Sequence, residues 1–454
     1  MSTRRLFGTN GVRGVVNEDM TIDLACNLGY AIGTYLEPGD DVAIGTDTRT
    51  SGEMLKNAAS AGVLSTGVHV SDLGVLPTPA LQYAVRGRLD FGIVITASHN
   101  PPRYNGIKCI APDGTELQRE EEEKIEKTYF AGRFREAAWD RVGSLSRDCS
   151  AIRRYIEGVI SMVDIDAIRK RHPTVVIDCG NGAASVVAPY LLEELGCKVI
   201  ALNANPQGTF PGRESEPSES NLRMLIELMR TGQADLGIAY DGDADRAVFV
   251  DEKGRYQMGD RTLALAAKEI TGKKRGIVVT PVSSTMALED VVVGNGSRVV
   301  YTPVGAPVVA RTMIKLKAIF GGEENGGLLF PEHQVCRDGA MASAFMLEIL
   351  AKKGKISRLI DRLPVYFNYK TRFECSPEIK DKVMPEIIAK AEGKGRIDEM
   401  DGLKLWTDDG WVLVRPSGTE AIFRVFAEGK TMKKARALAE EWEKVGKRIA
   451  KRLS

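Results

Sequence analysis

Long apolar runs are absent from this sequence. No stretch reaches the ~18 consecutive apolar residues that a membrane-spanning helix requires, so we expect no membrane partner. The first residues (1–11) are polar and glycine-rich and do not resemble the apolar core of a secretory signal. These observations predict a cytoplasmic protein.

An excess of charge of either sign is absent as well. The chain carries 62 basic and 61 acidic residues, a net charge of +1. Because proteins whose main partner is nucleic acid usually carry a basic excess, we expect no nucleic-acid partner. The seven cysteines are scattered without a C-x-x-C spacing, which is typical of a reducing, cytoplasmic setting.

What the sequence does contain is a loose threefold repeat of apolar runs that lead into small polar loops. The opening runs of the three segments lie at 41–52, 174–185 and 276–286, and the closing runs at 89–101, 234–246 and 318–327. Strands alternating with helical stretches indicate βαβ units. The sequence therefore predicts an α/β protein with three similar mixed-sheet α/β domains and a smaller C-terminal α+β domain around a central cleft.

The domain boundaries follow from this repeat. We predict a domain with the serine loop, one with an acidic loop, one with a glycine-rich loop and a C-terminal domain, at 1–150, 151–252, 253–365 and 366–454. In open α/β sheets, ligands bind beyond the carboxyl ends of the strands. We therefore expect the three closing loops to contribute to one shared site.

The last part of the chain has a different pattern. Residues 411–430 read as strand, polar turn and strand, and Thr431 is a candidate N-cap for a following helix. The apolar residues of that helix recur on one face, which predicts core packing; they are Ala435, Leu438, Ala439, Trp442, Val445 and Ile449.

The loop "YDGDADR" carries three alternating carboxylates, Asp241, Asp243 and Asp245. Their mutual repulsion favours a hard divalent cation with oxygen ligands, which indicates a metal site. An EF-hand is a poor alternative because Arg246 occupies the position that requires glycine. A phosphatase with an aspartate nucleophile is the other alternative, but it leaves the serine loop without a role.

The loop "TASHNP" places Ser98 directly after a buried strand. Mg²⁺ prefers six oxygen ligands, so three aspartates leave room for a phosphate oxygen, and a phosphoserine at Ser98 would supply one. Arg13, Lys108 and Arg246 are candidate cationic partners of that phosphate. Phosphoryl transfer to a hydroxyl also needs a proton acceptor, and either His99 or Lys108 could serve.

Two further loops suit a sugar phosphate. In "GGEENGG", Glu323 and Asn325 offer groups that fit vicinal hydroxyls, although a plain acidic turn fits as well. In "VRPSGTE", an arginine, two hydroxyls and a glycine form a candidate phosphate loop, whose residues are Arg415, Ser417, Gly418 and Thr419.

In this order along the chain, "TASHNP" with "NGIK", "DGDADR", "GEENGG" and "RPSGTE" resemble the α-D-phosphohexomutase family. The resemblance implies four domains, a phosphoserine at Ser98, and one Mg²⁺ per chain held by that phosphate with Asp241, Asp243 and Asp245. It also implies that Glu323 and Asn325 hold sugar hydroxyls and that the 415–419 loop binds the substrate's phosphate. The expected partners are a hexose phosphate substrate and a hexose bisphosphate intermediate, and the chain is a possible homo-oligomer.

The implied reaction moves phosphate between the 6- and 1-positions of a hexose. The tail "SGTE" with "FRVFAEG" resembles the phosphoglucosamine mutase branch, which favours glucosamine phosphates, with glucose and mannose phosphates as alternatives. Asn325, Gly327 and Ala421 depart from residues common in the family, and these departures weaken any assignment of one sugar. A metal-dependent sugar phosphatase and a binding module without catalysis are further alternatives.

Overall fold

A computed structural model describes residues 5–8, 10–417 and 421–453. The chain forms two compact units. The first comprises the residues up to Thr262 together with Asn325–Asp361, and the second comprises Leu263–Glu324 and the residues from Arg362 onwards. In the described part of the chain, no helix combines the length and the apolar character that crossing a membrane requires.

The first unit begins with a mixed sheet between helices. Its strands are β1 (Val12–Val15), β2 (Asp41–Thr46), β3 (His69–Val75), β4 (Phe91–Ile95), β5 (Tyr104–Ile110) and β6 (Leu145–Arg147). Its helices are α1 (Ile22–Tyr35), α2 (Gly52–Leu64), α3 (Thr78–Val85) and α4 (Arg119–Ala131). The spatial order is β1-β5-β4-β2-β3-β6, with β2 parallel to β3 and β4, and β5 antiparallel to β4. All five residues of β4 are buried, as its continuous apolar sequence predicts.

A second sheet of the same unit follows. Its strands are β7 (Thr174–Asp178), β8 (Lys198–Leu202), β9 (Leu236–Tyr240), β10 (Ala247–Asp251) and β11 (Tyr256–Gln257). Its helices are α5 (Ala151–Ile160), α6 (Ile165–Arg171), α7 (Ala188–Glu194) and α8 (Arg223–Arg230). The central strand β7 is parallel to β8 and β9, and β9 turns back into antiparallel β10. The acidic loop is the connection between β9 and β10.

The chain then passes into the second unit within helix α9 (Gly259–Lys273) and returns to the first unit at Asn325. The second unit contributes β12 (Ile277–Pro281), α10 (Met286–Gly294), β13 (Arg298–Thr302), α11 (Ala306–Leu316) and β14 (Phe320–Gly322), with β12 parallel to β13 and β14. The first unit regains β15 (Leu328–Phe330), antiparallel β16 (Gln334–Arg337), α12 (Gly339–Lys353) and α13 (Ile356–Ile360).

The C-terminal part of the second unit is an antiparallel sheet with helices. Its elements are β17 (Phe367–Glu374), α14 (Lys380–Ala391), β18 (Arg396–Asp398), β19 (Leu403–Thr407), β20 (Gly410–Pro416), β21 (Ile422–Gly429) and α15 (Met432–Leu453). The spatial order is β17-β21-β20-β19-β18. The predicted helix after Thr431 is confirmed: Trp442 and Ala439 are buried against Phe423 and Val425, and the Thr431 hydroxyl accepts a hydrogen bond from the backbone N–H of Lys434.

The opposite face of this sheet packs inside the second unit around Lys404. The Lys404 ammonium donates to the carbonyl of Val282, and its Nζ lies 4.2 Å from the centroid of the Trp411 ring and 5.0 Å from that of Tyr301. Cation–π attraction and this hydrogen bond make a buried lysine tolerable. The C-terminal sheet and the 263–324 segment therefore share one apolar interface.

Candidate active site

Ser98 lies in the serine loop (residues 96–104), which follows β4. Its backbone adopts the left-handed region, with φ of +51°, a conformation that costs a non-glycine residue about 1–2 kcal/mol. The loop holds this conformation through a hydrogen bond from the Ser98 N–H to the Thr96 hydroxyl, 2.9 Å long. The side chain of Ser98 is thereby fixed at the carboxyl end of the strand, and the residue is 2% exposed.

Arg49, which the sequence analysis did not single out, anchors this loop. Its buried guanidinium is paired with Asp47 at 3.1 Å. It donates at 2.6–2.8 Å to four backbone carbonyls, those of Ser98, Asn100, Pro101 and Tyr104. Because hydrogen bonds from a charged donor are worth more than neutral ones, Arg49 specifies the shape of the serine loop. The only sequence signal for Arg49 is its position in the polar loop that follows β2.

The metal loop (residues 241–246) brings together the three aspartates that the sequence selected. One carboxylate oxygen from each of Asp241, Asp243 and Asp245 lies within 4.8 Å of the others, and all three residues are buried. The Oδ1 atoms of Asp243 and Asp245 accept no hydrogen bond from any residue that the structure describes. Buried carboxylate oxygens without donors, converging on one point, fit a hard divalent cation.

Three cations surround these carboxylates. Lys108 Nζ lies 2.8 Å from Asp243 Oδ2 and 3.5 Å from Asp245 Oδ2. Arg246 pairs with Asp241 at 3.0 Å, and Arg337 pairs with Asp245 at 2.5 Å. Burial opposes ionisation of Lys108, but Asp243 and Asp245 raise the pKa of Lys108 above its ordinary value. Lys108 is therefore an ammonium that balances part of the negative charge.

The pKa values of the aspartates move in opposite directions. Burial raises the pKa of Asp241 to about 7, although Arg246 acts against this, and the neighbouring carboxylates add to the rise. Burial also opposes ionisation of Asp243, but the adjacent Lys108 and a hydrogen bond from Thr78 (2.7 Å) hold its pKa below the ordinary value. Titratable groups whose pKa values are driven apart at one place are typical of catalytic sites.

Ser98 and the metal loop are in direct contact. The Ser98 hydroxyl donates to Asp241 Oδ2 at 2.9 Å. A Cβ on Gly242 would lie only 2.4 Å from the Ser98 carbonyl oxygen, so only glycine lets the two backbones come this close. The structure thus places a hydroxyl against a buried carboxylate cluster, as the sequence predicts.

His99 and Arg13 both contact residues of the serine loop. His99 Nδ1 is 3.4 Å from Ser98 Oγ and 3.8 Å from Glu216 Oε2, and its side chain is 46% exposed. Partial burial and the nearby Arg246 lower the pKa of His99 to about 4, which makes it a neutral imidazole at pH 7. Arg13 donates to the Asn100 side chain at 2.9 Å.

Thr78 and Arg337 are site residues that sequence reasoning missed. Thr78 begins α3 and donates to Asp243, and Arg337 ends β16 and pairs with Asp245. Both contacts connect residues more than 90 positions apart along the chain. Neither residue belongs to a short motif that carries a physical signal, so only the folded chain reveals them.

The remaining predicted residues lie elsewhere in the two units. Asn325 is in the first unit, where its side chain accepts a hydrogen bond from the Gly327 N–H at 3.1 Å. In the second unit, Glu323 is 4% exposed and Arg415 lies 3.0 Å from Asp401 Oδ2. Ser417 is buried and its carbonyl accepts from Lys380. Gly418 and Thr419 lie outside the described residues.

A buried serine on a strained loop, facing an aspartate cluster that could hold a metal ion at the carboxyl ends of α/β strands, is typical of phosphotransfer enzymes as a class. The comparison with family models makes this specific. Residues 4–136, 153–254 and 258–366 match the phosphoglucomutase/phosphomannomutase alpha/beta/alpha domains I, II and III, and residues 371–445 match its C-terminal domain. The chain belongs to the phosphoglucomutase/phosphomannomutase family of α-D-phosphohexomutases. It is an intramolecular phosphotransferase of the isomerase class.

Individual relatives agree with the family models. The chain is 48% identical over 444 residues to a phosphoglucomutase/phosphomannomutase of Thermococcus kodakarensis, covering 96% of this chain and 97% of the relative. It is 42% identical over 455 residues to a probable phosphoglucosamine mutase of Pyrococcus horikoshii, covering 99% of both. The crystal structure of a phosphoglucomutase/phosphomannomutase family protein from Burkholderia thailandensis superposes with a TM-score of 0.89 at 27% identity, over 98% of this chain and 97% of that one. The predicted fold class and family are confirmed.

Proposed function

We propose that this phosphohexomutase moves phosphate between the 6- and 1-positions of a hexose through a phosphoserine at Ser98. The phosphoserine gives its phosphoryl group to the free hydroxyl of a hexose monophosphate, which forms a hexose 1,6-bisphosphate. The intermediate turns around, and Ser98 takes back the other phosphate. The observation that carries the proposal is the 2.9 Å contact of the Ser98 hydroxyl with Asp241 in the buried carboxylate cluster.

The residues of the metal loop fit one Mg²⁺ ion per chain. Asp241, Asp243 and Asp245, with a phosphate oxygen on Ser98, would hold it, and the ion would neutralise charge that develops on the transferring group. Lys108 and Arg246 act beside it, because their donors already point at the same carboxylates.

We infer different roles for the two candidates for proton transfer. Lys108 is fully charged and its ammonium is engaged by two aspartates, so it has no lone pair with which to accept a proton. His99 is neutral at pH 7 and lies beside Ser98. We therefore assign proton acceptance from the sugar hydroxyl to His99, and charge stabilisation to Lys108.

The residues that would hold the substrate lie far from Ser98 in the sequence. We assign sugar hydroxyls to Glu323 and Asn325. The phosphate loop would bind the substrate's own phosphate through Arg415, Ser417, Gly418 and Thr419. Arg13 is a further substrate-binding residue. The four domains at 1–150, 151–252, 253–365 and 366–454, a cytoplasmic location and a possible homo-oligomer belong to the same proposal.

A mutase fits the geometry better than a phosphatase. The metal loop faces a serine that is held in a strained conformation by Arg49 and Thr96, which a phosphatase with an aspartate nucleophile would not need. A binding module without catalysis would need neither the paired cations nor Ser98. The mutase alone gives each of these groups a role.

Replacing Ser98 with alanine tests this function. We expect Ser98→Ala to remove nearly all mutase activity, and intact-mass spectrometry to find one phosphate on the active protein but none on the variant. Ser71→Ala is the matched control, since Ser71 is a serine of the same unit whose hydroxyl is hydrogen-bonded to Ser146 on β6, away from the serine loop. Full activity in the Ser98 variant would exclude the phosphoserine pathway.

Among the hexoses, we propose glucosamine 6-phosphate and glucosamine 1-phosphate as the preferred pair. The tail that follows the phosphate loop supports this, as do relatives named probable phosphoglucosamine mutase at 39–42% identity. Glucose and mannose phosphates are the alternative, which the name of the 48% identical relative favours. Measuring kcat/KM for the three sugar phosphates on one preparation decides between them. A preference of ~100-fold for glucose or mannose, about 2.7 kcal/mol, would overturn the amino-sugar assignment.

A further inference from the structure

Asp401 lies in the connection between β18 and β19, which belong to the second unit. Its Oδ2 atom is 3.0 Å from Nε of Arg415 on β20, and Arg415 belongs to the proposed phosphate loop. The side chain of Asp401 is 15% exposed and that of Arg415 is 18% exposed. Because water and salt screen a partly buried ion pair less than an exposed one, this carboxylate restrains the guanidinium.

The same carboxylate oxygen has a second partner in the 263–324 segment of the unit. Asp401 Oδ2 accepts a hydrogen bond from the backbone N–H of Val304, 2.9 Å long. Val304 directly precedes Gly305, the N-cap residue of α11, so the donor lies next to the start of a helix. Because a backbone donor cannot change rotamer, it holds the Asp401 carboxylate in one place beside Arg415.

Gly402 brings the turn that carries Asp401 close to β20. Its φ is +81°, a left-handed conformation that glycine adopts readily. A Cβ atom at this position would lie 2.3 Å from the carbonyl oxygen of Val414 and 2.9 Å from Cα of Arg415. A side chain at residue 402 would therefore push the turn away from β20. The contact between Asp401 and Arg415 thus depends on this glycine.

The Asp401 carboxylate has two opposing effects on an arginine that binds phosphate. An arginine has many rotamers, and ordering it only when the ligand arrives costs affinity. Asp401 approaches Arg415 at Nε, so the edge formed by the two Nη groups, which can bind phosphate through paired donors, lies outside this contact. The carboxylate also reduces the positive charge that a phosphate meets, which would weaken binding. The sign of the change in affinity after removal of the carboxylate shows which effect dominates.

We propose that Asp401 is a positioning residue for the substrate's phosphate, which holds the Arg415 guanidinium in place with the Val304 N–H as its anchor. This inference rests on the proposed function, in which Arg415 belongs to the phosphate loop. In this role Asp401 does not touch the substrate, and it forms and breaks no covalent bond. Since the substrate's own phosphate is held both before and during phosphoryl transfer, the effect of Asp401 is on binding and not on the chemical step.

A double-mutant cycle on the full-length enzyme tests this role. Asp401→Ala, Arg415→Ala and the double variant are titrated calorimetrically with glucosamine 6-phosphate and with glucose 6-phosphate in the absence of Mg²⁺. The values of kcat and KM are measured on the same preparations in the presence of Mg²⁺.

Two further variants complete the experiment. Asp401→Asn is the conservative variant, because its amide oxygen can still accept from the Val304 N–H and from Arg415. Asp409→Ala is the matched control. Asp409 directly precedes β20 and is paired with Lys434 at 2.6 Å, so this variant removes an ion-paired carboxylate from the same sheet.

We expect Asp401→Ala to raise Kd and KM about tenfold, roughly the cost of ordering one long side chain on binding, and to leave kcat nearly unchanged. Asp401→Asn should retain most of the affinity, and Asp409→Ala should match the wild type. In the Arg415→Ala background, replacement of Asp401 should have no further effect on Kd.

Unchanged or tighter binding in Asp401→Ala, together with weaker binding in Arg415→Ala, would overturn the positioning role and leave the phosphate loop in place. A fall in kcat at unchanged KM, or an equal loss of affinity with and without Arg415, would show a general structural role and would also overturn it. If Arg415→Ala binds both sugar phosphates as tightly as the wild type, Arg415 lies outside the phosphate site. The proposed phosphate loop is then wrong, and this inference with it.

Discussion

Replacing Arg49 with methionine should loosen the serine loop more than any other single change outside the metal cluster. The variant keeps an apolar stem but removes the guanidinium that donates to four backbone carbonyls and pairs with the Asp47 carboxylate. Removing one partner of a buried ion pair costs about 3–5 kcal/mol. We therefore expect the local free energy of opening of residues 98–104 to fall by about that amount.

Amide hydrogen exchange read by mass spectrometry measures this opening directly. A loss of about 3 kcal/mol speeds exchange of the loop peptide by roughly 100-fold, and mutase activity should fall with it because Ser98 is no longer held in place. Arg135→Met is the matched control. Arg135 also donates to three carbonyls of the first unit, those of Gly33, Leu36 and Thr66, but it does not contact the serine loop. Equal exchange of residues 98–104 in both variants would refute the anchoring role.

Two further predictions concern the metal loop. Asp243→Asn should weaken Mg²⁺ binding about tenfold or more, because the charge of the ligands sets the affinity. The control is Asp251→Asn, which removes a buried carboxylate paired with Arg255 and should leave Mg²⁺ affinity unchanged. Calorimetric titration measures both affinities, and equal values for the two variants would contradict the assignment. Because burial raises the pKa of Asp241 to about 7, this group holds a proton below pH 7 in the Mg²⁺-free protein. Mg²⁺ binding should therefore release close to one proton at pH 6 and almost none at pH 9. Calorimetry in buffers of different ionisation heat measures the number of protons released. Proton release that does not change with pH would exclude the raised pKa of Asp241.

Much of the fold could be predicted because its signals are local. The buried strand β4 is a continuous apolar run, and helix α15 shows its packed face in the spacing of Ala435, Ala439 and Trp442. The loops after β4 and β9 stand out because polar residues follow apolar strands directly. Sheet order is not local, and the antiparallel strands β1 and β5 at the edge of the first sheet were not specified by the repeat.

The candidate site divides in the same way. Ser98 and the three aspartates could be singled out from the sequence because they lie in short motifs that directly follow apolar strands. Arg49, Thr78 and Arg337 were not, because each acts through a contact with a segment far away along the chain. The proposal that His99 accepts the proton also depends on the fold, because only the fold places Lys108 between two aspartates.

The C-terminal sheet and residues 263–324 form one compact unit through packing contacts that no sequence pattern reveals. Lys404 is surrounded by Trp406, Trp411 and Tyr301, and it donates to the carbonyl of Val282. These contacts join the C-terminal sheet to residues 263–324. Packing of the C-terminal sheet against residues 263–324 depends on the shapes of two surfaces that come together only when the chain folds.

Transfer of an isotopic label from Ser98 tests the central claim most directly. Enzyme carrying ³²P on Ser98 is mixed with unlabelled hexose monophosphate and quenched within one turnover, and the label is followed among protein, bisphosphate and monophosphate. The proposed mechanism predicts that the label passes first into hexose bisphosphate and then into the product, while Ser98 gains an unlabelled phosphate from the substrate. Label that appears as inorganic phosphate, or that stays on the protein through many turnovers, would contradict it.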